Sequence, residues 1–161
     1  MTEPIIEQIL LDVVDTVNGI TTGAGYQQTL TAVRPTRQDL DDEGPVDNGT
    51  VLVVFSDPEP DAEHSNAGNP ARQAWMVQLV LVAYVIPSDA SETPIDTLIN
   101  RVRADIEKAL QADHTRGGLA NWTRPAGSLK FIQEGGAVSG VAVFADVLYR
   151  TPINDPYTHA G

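Results

Sequence analysis

The sequence contains no cysteine, and it carries only 10 lysines and arginines against 22 aspartates and glutamates. The absence of cysteine excludes disulfides and thiolate metal sites. The net charge of −12 opposes ordinary DNA binding, because such binding neutralises phosphates with Lys and Arg. Long apolar runs are also missing: none reaches the roughly 18 residues that span a bilayer, and no signal peptide opens the chain. We therefore expect a protein of cytosolic origin with no membrane partner.

The length and composition favour one folded domain. A chain of 161 residues has room for a real core, and a hydrophobic content of 42% argues against global disorder. The sequence shows neither an internal repeat nor a boundary between domains. We therefore expect a single domain over residues 1–161.

The negative charge is concentrated in the first half of the chain. Residues 1–70 hold 13 acids and 2 bases, whereas residues 71–161 hold 9 acids and 8 bases. Nine of the acids, and no base, lie between Asp39 and Glu63. The simplest interpretation is a pair of solvated acidic loops, at about 36–49 and 56–73. Because these loops have little apolar content to bury, we expect them to be mobile.

The clearest structural pattern is a strand at Ala74–Ile86 followed by a helix at Pro94–Ala112. Both faces of the strand are apolar, so something should cover it on both sides. Thr93 can cap the helix, and Pro94 suits its first turn. Arg101 and Arg103 lie outside its apolar face, as does Asp105. That face contains Ile95, Leu98, Ile99, Val102, Ile106, Ala109 and Leu110.

The other elements complete an α+β pattern. A helix capped by Thr2 is predicted at 3–17, and an extended tail is predicted at 151–161. Further strands are predicted at 28–34, 50–55, 128–133 and 138–150, with a hairpin turn at Gly135-Gly136. The order α-β-β-β-α-β-β predicts a single, mostly antiparallel sheet with two helices packed on one face. The other face is then apolar and uncovered within the chain, which marks a partner surface.

Motifs for catalysis or metal binding are weak. Asp39, Asp41 and Glu43 imitate the start of a calcium loop, but the twelfth position is Thr50 instead of Glu. The Glu63-His64 pair would need metal ligands from elsewhere in the fold. We therefore expect no metal, no cofactor and no catalytic residue. A small acidic hydrolase remains an alternative, and it would need a pocket with convergent histidines and carboxylates.

Two further groupings could act in binding. Trp122 lies near Arg116 and Arg124 in the sequence, where it could stack on a nucleotide or simply cap the edge of a loop. Asp146 and Arg150 share one face of the last predicted strand, and they could form a structural or an intersubunit ion pair.

The order of elements resembles that of the tail terminator (tail completion) proteins of long-tailed bacteriophages. The resemblance covers most of the chain and is one of pattern. It begins with the helix PIIEQILLDVV and continues with the strand WMVQLVLVAYVIPSD, which leads into the helix PIDTLINRVRADIEKAL. It closes with VAVFADVLYRTPINDPYT, in which the last strand ends in Tyr-Arg before a proline-containing tail.

The resemblance implies a structural role in the virion. Members of the family are α/β subunits that form a ring, usually a hexamer, on the finished tail tube. The ring ends growth of the tube and presents a surface to the head–tail connector proteins, and DNA later passes through its lumen without specific binding. This implies assembly in the host cytoplasm and a final place at the head-proximal end of the tail. A head–tail connector or a tail tube subunit of the same kind of virus is the alternative.

The candidate interaction residues are the acids of the two loops and three arginines. Acidic loops suit a lumen through which DNA slides, since they repel phosphates, and they equally suit docking to a basic partner. The arginines lie on the outer side of the second helix and at the end of the last strand. The candidates are Asp39, Asp41, Asp42, Glu43, Asp57, Asp61, Glu63, Arg101, Arg103 and Arg150.

Overall fold

The computed structural model describes residues 2–35, 47–68, 70–88, 91–132 and 139–161. These residues form two α-helices, six β-strands and a short 3-10 turn. The helices are α1 (Ile5–Asn18) and α2 (Ile95–Ala112). The strands are β1 (Thr31–Val33), β2 (Thr50–Phe55), β3 (Glu59–Asn66), β4 (Arg72–Tyr84), β5 (Trp122–Ile132) and β6 (Ser139–Pro152).

Both helices are amphipathic and begin directly after a proline. The N-cap residues are Pro4 and Pro94, and neither helix has a hydrogen bond from a capping side chain. The predicted caps, Thr2 and Thr93, are therefore wrong. Proline suits a helix start because its fixed φ matches the helix and its missing N–H has no partner there anyway. The apolar stripes of both helices are confirmed, because their central residues are buried.

The strands form one mixed sheet in the order β1-β2-β4-β6-β5, and β3 pairs with β4 beyond the end of β2. The short β1 runs parallel to β2, whereas the pairs β2–β4, β3–β4, β4–β6 and β5–β6 are antiparallel. The predicted α+β class and the mostly antiparallel sheet are therefore confirmed. The long pairing of β4 with β6, from Arg72 opposite Pro152 to Tyr84 opposite Gly140, forms the centre of the sheet.

Both helices pack on the same face of this sheet. Alternate residues of the strands join α1 and α2 in one buried cluster. On the central strands these residues are Val77, Leu79, Leu81, Ala83, Val141, Val143, Ala145 and Val147. Each of them is at most 1% exposed. Because burial of apolar surface contributes about 25 cal/mol per Å², this cluster stabilises the packing of both helices on the sheet.

The second predicted loop, 56–73, contains a strand instead. Its residues 59–66 form β3, which pairs with β4 from Glu59 opposite Met76 to Asn66 opposite Arg72, with an irregularity in the register between. The prediction failed because acidic residues and Pro60 disfavour a strand by local propensity, whereas pairing with the long β4 satisfies the backbone. Whether the segment is mobile stays a prediction. Loop 36–49 and the Gly135-Gly136 turn lie mostly or wholly outside the described residues.

Asp105 departs from its predicted place. It is 4% exposed on α2, although its charge and its position beside the apolar stripe predicted a solvated side chain. Its two carboxylate oxygens accept the backbone N–H groups of Gln27 (3.2 Å) and Gln28 (2.8 Å). Asp105 thereby anchors the link between α1 and β1 to the second helix, which compensates for its loss of hydration.

Candidate interaction surfaces

The face of the sheet opposite the helices is apolar and open. Within the described ranges, with their gaps at 36–46, 69, 89–90 and 133–138, neither helix packs on it, which confirms that the two helices share one face. Its residues alternate along the strands with the fully buried ones and remain partly exposed. They are Leu52, Val54, Val80, Val82, Tyr84, Ala142, Phe144, Phe131 and Leu129, and we call this set the open face.

Two aromatic side chains of the open face pack against each other. Tyr84 and Phe131 meet edge to face with ring centroids 6.0 Å apart. The two rings lie on either side of Gly140, where an added Cβ would lie 2.8 Å from the Phe131 ring and 2.0 Å from the Ala83 carbonyl oxygen. Glycine at this position therefore lets the aromatic pair form across the middle strand. The result is a continuous apolar surface, of the kind that marks a contact with another protein.

Four acids line the free edge of the sheet at β3. Asp57, Glu59 and Glu63 are exposed, and Asp61 is partly exposed. Within the described residues β3 pairs only with β4, so its other edge is unpaired. We call Asp57, Glu59, Asp61 and Glu63 the acidic edge. The remaining acidic candidates, Asp39, Asp41, Asp42 and Glu43, lie outside the described residues.

His64 bonds to an acid of the same strand instead of completing a catalytic set. Its Nδ1 lies 3.1 Å from Asp61 Oδ2, and its backbone N–H donates to Asp61 Oδ1. The hydrogen bond from His64 holds the pKa of Asp61 below its usual range. The hydroxyl of Ser65 donates to the Asp61 carbonyl oxygen and accepts the Ala74 N–H, so the neighbouring serine is committed to the backbone. Among the described residues no group of three or more potential ligands could hold a metal ion.

The two arginines predicted to act together lie on different sides of α2. Arg101 is exposed, as predicted. Arg103 is half-buried and lines a shallow cleft of about 260 Å³ with Lys130 and Ser128 of β5. Residues 101 and 103 are about 200° apart around a helix, so they cannot form one surface. The cleft beside β5 therefore contains two cationic side chains, which sequence spacing along the helix could not reveal.

Trp122 stacks with one arginine of its own chain, and the other arginine is buried. Trp122 and Arg124 both lie on β5 and not in the predicted loop, and the guanidinium of Arg124 lies 4.1 Å from the Trp122 ring centroid, where it covers one face of the ring. Arg116 is 0% exposed. It donates to Asp12 Oδ2 and Thr16 Oγ1 of α1, each at 3.1 Å, and to the Leu110 carbonyl at 2.6 Å.

The burial of this pair changes both pKa values. Desolvation lowers the pKa of Arg116 and raises the pKa of Asp12, and in both groups it outweighs the attraction between them. Arg116 is therefore a structural connection between the two helices, and not a free binding group. No local sequence signal distinguishes it from Arg124.

Arg150 does not bond to Asp146 as the shared strand face suggested. Its Nε donates to the His64 carbonyl oxygen at 3.0 Å, and its Nη1 lies 3.5 Å from the Gly161 oxygen. Arg150 thus connects β6 to the acidic edge and to the tail. Asp146 lies opposite Arg124 in the β5–β6 register.

An aromatic cleft of about 210 Å³, which the sequence did not indicate, lies at the start of α1. Trp75 and Tyr149 line it with three prolines, and Trp75 Nε1 donates to Thr151 Oγ1 at 3.2 Å. Burial raises the pKa of Tyr149 to about 12. Histidines and carboxylates are not among its lining residues, so it does not have the composition that a hydrolase pocket needs.

Fold and surfaces together define an α+β protein with one sheet, helices on a single face and charged edges. The chain matches no protein-family model and no curated protein. Neither helix within the described part of the chain is long and apolar enough to cross a membrane.

Proposed function

We propose that this protein is a structural subunit that forms a closed ring on the end of a bacteriophage tail tube. In this role the ring ends growth of the tube and provides the surface to which the head–tail connector proteins join. The observation that carries the proposal is the open face, an ordered apolar surface that a subunit can bury against a neighbour. The resemblance of the sequence pattern to tail terminator proteins gives this surface its specific role.

The shape of the sheet supports a ring over a simple pair. A ring requires two different surfaces on each subunit, because each copy contacts its two neighbours in the same head-to-tail manner. This chain has two unlike sheet edges, the acidic edge at β3 and the longer β5 at the opposite side. An apolar face bounded by two unlike edges suits such repetition.

The charge distribution supports passage of DNA without binding. The chain has 22 acidic and 10 basic residues, so its net charge of −12 has the same sign as DNA phosphates. Where such acids face a channel they repel the DNA and leave it free to slide. The proposed partners are therefore further copies of the chain, the tail tube protein and the connector proteins, and the proposed location is the head-proximal end of the tail.

Two substitutions on neighbouring positions of β4 test the proposal. Val82 lies on the open face, whereas Leu81 is 0% exposed beneath the helices. We expect Val82→Glu to leave the monomer folded but to prevent ring formation, because it places a charge in an apolar interface. Leu81→Glu, the matched control, should unfold the subunit, because the same charge is then buried in the core.

Native mass measurement and electron microscopy with purified tail tubes give the readout. A discrete ring that caps the tubes and is lost in the Val82→Glu variant supports the proposal. Unlimited tubes formed by the protein itself indicate a tail tube subunit, and binding to connectors without an effect on tube length indicates a connector subunit. A stable twofold dimer that buries the open face under all conditions overturns the proposal.

A further inference from the structure

We propose that neighbouring copies of this chain join through the acidic edge of one copy and a basic edge, formed at β5, of the next. This inference rests on the proposed ring and names a contact within it that is additional to the burial of the open face. The basic edge consists of Arg124 and Lys130 on β5. Arg124 lies opposite Asp146 on the open-face side of the strand, whereas Lys130 lies opposite Val141 on the helix side, where it shares a cleft with Arg103 of α2.

The two edges carry opposite charge. β5 contains two bases and no acid, whereas residues 57–63 contain four acids and no base. Arg124 and Lys130 are exposed, and neither forms an ion pair with any of the described residues. The cleft that Arg103 and Lys130 share also contains the side chains of Asn100 and Ser128, which can donate to a carboxylate. The basic edge is therefore prepared for an acidic partner.

Both edges are also unpaired strands. Within the described residues β4 is the only strand that pairs with β3, and β6 is the only strand that pairs with β5, which is 11 residues long. An exposed strand edge is a template for another strand, and proteins usually shorten or cover edges of this length. Pairing between copies would satisfy the free backbone groups of both strands.

The strand directions fit this pairing. β3 is antiparallel to β4, β4 to β6, and β6 to β5, so β3 and β5 run in opposite directions. A second copy placed alongside in the same orientation therefore meets β5 with an antiparallel β3, and the alternation of the sheet continues. Because β3 and β5 share only the level of Glu59 and Trp122, the second copy must also shift along the strand direction before the acids of β3 lie beside Arg124 and Lys130.

Strands β3 and β5 are also offset from each other along the strand direction. Glu59, at the start of β3, is level with Trp122, at the start of β5, through the pairs with Met76 and Leu148. β3 thus extends beyond the level at which β5 begins. Joining the two edges shifts each copy along the strand direction relative to the last, and a stagger of this kind is what closes a sheet into a barrel.

Like edges repel, which selects the head-to-tail contact. Two copies joined β3 to β3 would place acids against acids, and two joined β5 to β5 would place bases against bases. Such contacts are disfavoured, whereas the unlike pair is attracted. A heterologous contact of this kind generates a ring if its rotation closes.

Charge reversal on each edge, followed by mixing, tests the contact. The first variant carries Arg124→Glu and Lys130→Glu, and the second carries Asp57→Lys, Glu59→Lys and Glu63→Lys, which leaves Asp61 as the one acid of that edge. Each alone presents two edges of the same sign, so we expect its assembly constant to fall by about tenfold or more. In an equimolar mixture every reversed edge meets a complementary edge of the other variant, so alternating rings with an even number of subunits should form again.

A matched control separates the edge from net charge. Asp15→Lys with Glu92→Lys and Asp96→Lys changes the net charge by the same amount as the second variant, at three exposed positions outside both edges. We expect this variant to assemble like the unchanged protein in analytical ultracentrifugation. Equal assembly of all variants, or failure of the mixture to recover, overturns the inference.

Cross-linking gives a readout that does not depend on stable assembly. Because the chain has no cysteine, Glu59→Cys with Arg124→Cys introduces two thiols on the open-face side of the sheet, which a short bismaleimide can join. A ladder that ends at one closed species supports both the contact and the ring. A ladder without an end keeps the contact but overturns the proposed terminator. Closed rings without cross-links overturn the contact alone, and a monomer without cross-links overturns both.

Discussion

At the scale of single residues, Arg116 has the most demanding environment in the described chain. It is fully buried at a positive φ of 52°, a backbone region that non-glycine residues seldom adopt. Its hydrogen bonds to Asp12 and Thr16 connect the end of α2 to the middle of α1. The gain from this connection must exceed both the backbone cost and the desolvation of the guanidinium.

Replacement of Arg116 should therefore destabilise the fold. We expect Arg116→Met to lower the free energy of unfolding by about 2–4 kcal/mol, because Asp12 loses its partner and the carbonyl groups of Leu110 and Asp113 lose their donor. Arg101→Met, at an exposed position, should change it by less than about 0.5 kcal/mol. Urea unfolding followed by circular dichroism measures both values. Equal midpoints for the two variants would show that Arg116 does not connect the helices.

A second residue-scale prediction concerns pH. Arg34 forms a two-point ion pair with Glu7 of α1, in which Nη2 lies 3.1 Å from Oε2. The hydrogen bond from Arg34 lowers the pKa of Glu7 from its usual 4.5. The unfolded chain therefore binds a proton more tightly, so the pair's contribution is complete above pH 4.5 and is lost as the pH falls through the folded pKa.

The variant Glu7→Gln isolates this contribution. We expect it to be less stable than the unchanged protein by at most about 1 kcal/mol near neutral pH, since both side chains are partly exposed. The difference should shrink as the solution is acidified below the usual pKa of a glutamate. Unfolding curves at a series of pH values from about 3 to 7 test this. A difference that stays constant across the series would contradict the assigned linkage.

At the scale of elements, the buried side of α2 should contribute to the stability of the fold far more than its exposed side. Ile99 and Val102 are 1% and 3% exposed, and both belong to the core cluster. Truncating either to Ala should destabilise the subunit by roughly 1–4 kcal/mol, the range for buried aliphatic side chains. Arg101→Glu on the exposed side should change the melting temperature little. If Arg101→Glu unfolds the protein while the truncations do not, the helix is placed the wrong way round.

Strand β3 depends on its neighbour β4 for its conformation. Its residues, EPDAEHSN, have no strand pattern of their own, and most of them are exposed. Their order comes from pairing with β4 and from local hydrogen bonds such as those of Asp61 with His64. A segment held in this way gains little from burial, so it is the part of the sheet that a partner can reshape.

At the scale of the whole molecule, the acidic edge should be dispensable for folding. We expect Asp57→Asn, Glu59→Gln and Glu63→Gln together to leave the thermal melting of the monomer within about 2 °C, because exposed charges contribute little to stability. The same variant should weaken ring formation, since it removes the attraction between unlike edges. Calorimetry and sedimentation on one preparation test both statements. A large loss of stability would mean that the acids serve the fold itself.

The sequence by itself determined the parts of this protein that depend on local pattern. The apolar stripe at helical spacing predicted α2, and enrichment in Val, Leu and Ile predicted β2 and β4. The element order then predicted the α+β class and the open face, because two helices joined by short links to an antiparallel sheet fall on one side. Local pattern is sufficient here, because a strand that buries one face has an apolar residue at every second position and a helix has one at every third or fourth position.

The tertiary structure alone decided which charged residues are solvated and which edges are opposed. Asp105 and Arg116 have the same composition signals as their exposed neighbours, but their partners at Gln28 and Asp12 lie 77 and 104 residues away. Likewise, β3 is a strand only because β4 extends past the end of β2 and offers it a partner. The pairings β3–β4, β4–β6 and β6–β5 separate the acids of β3 from β5, so the acidic edge and β5 lie at opposite sides of the sheet. Such arrangements depend on contacts between distant segments, whose energies no local pattern contains.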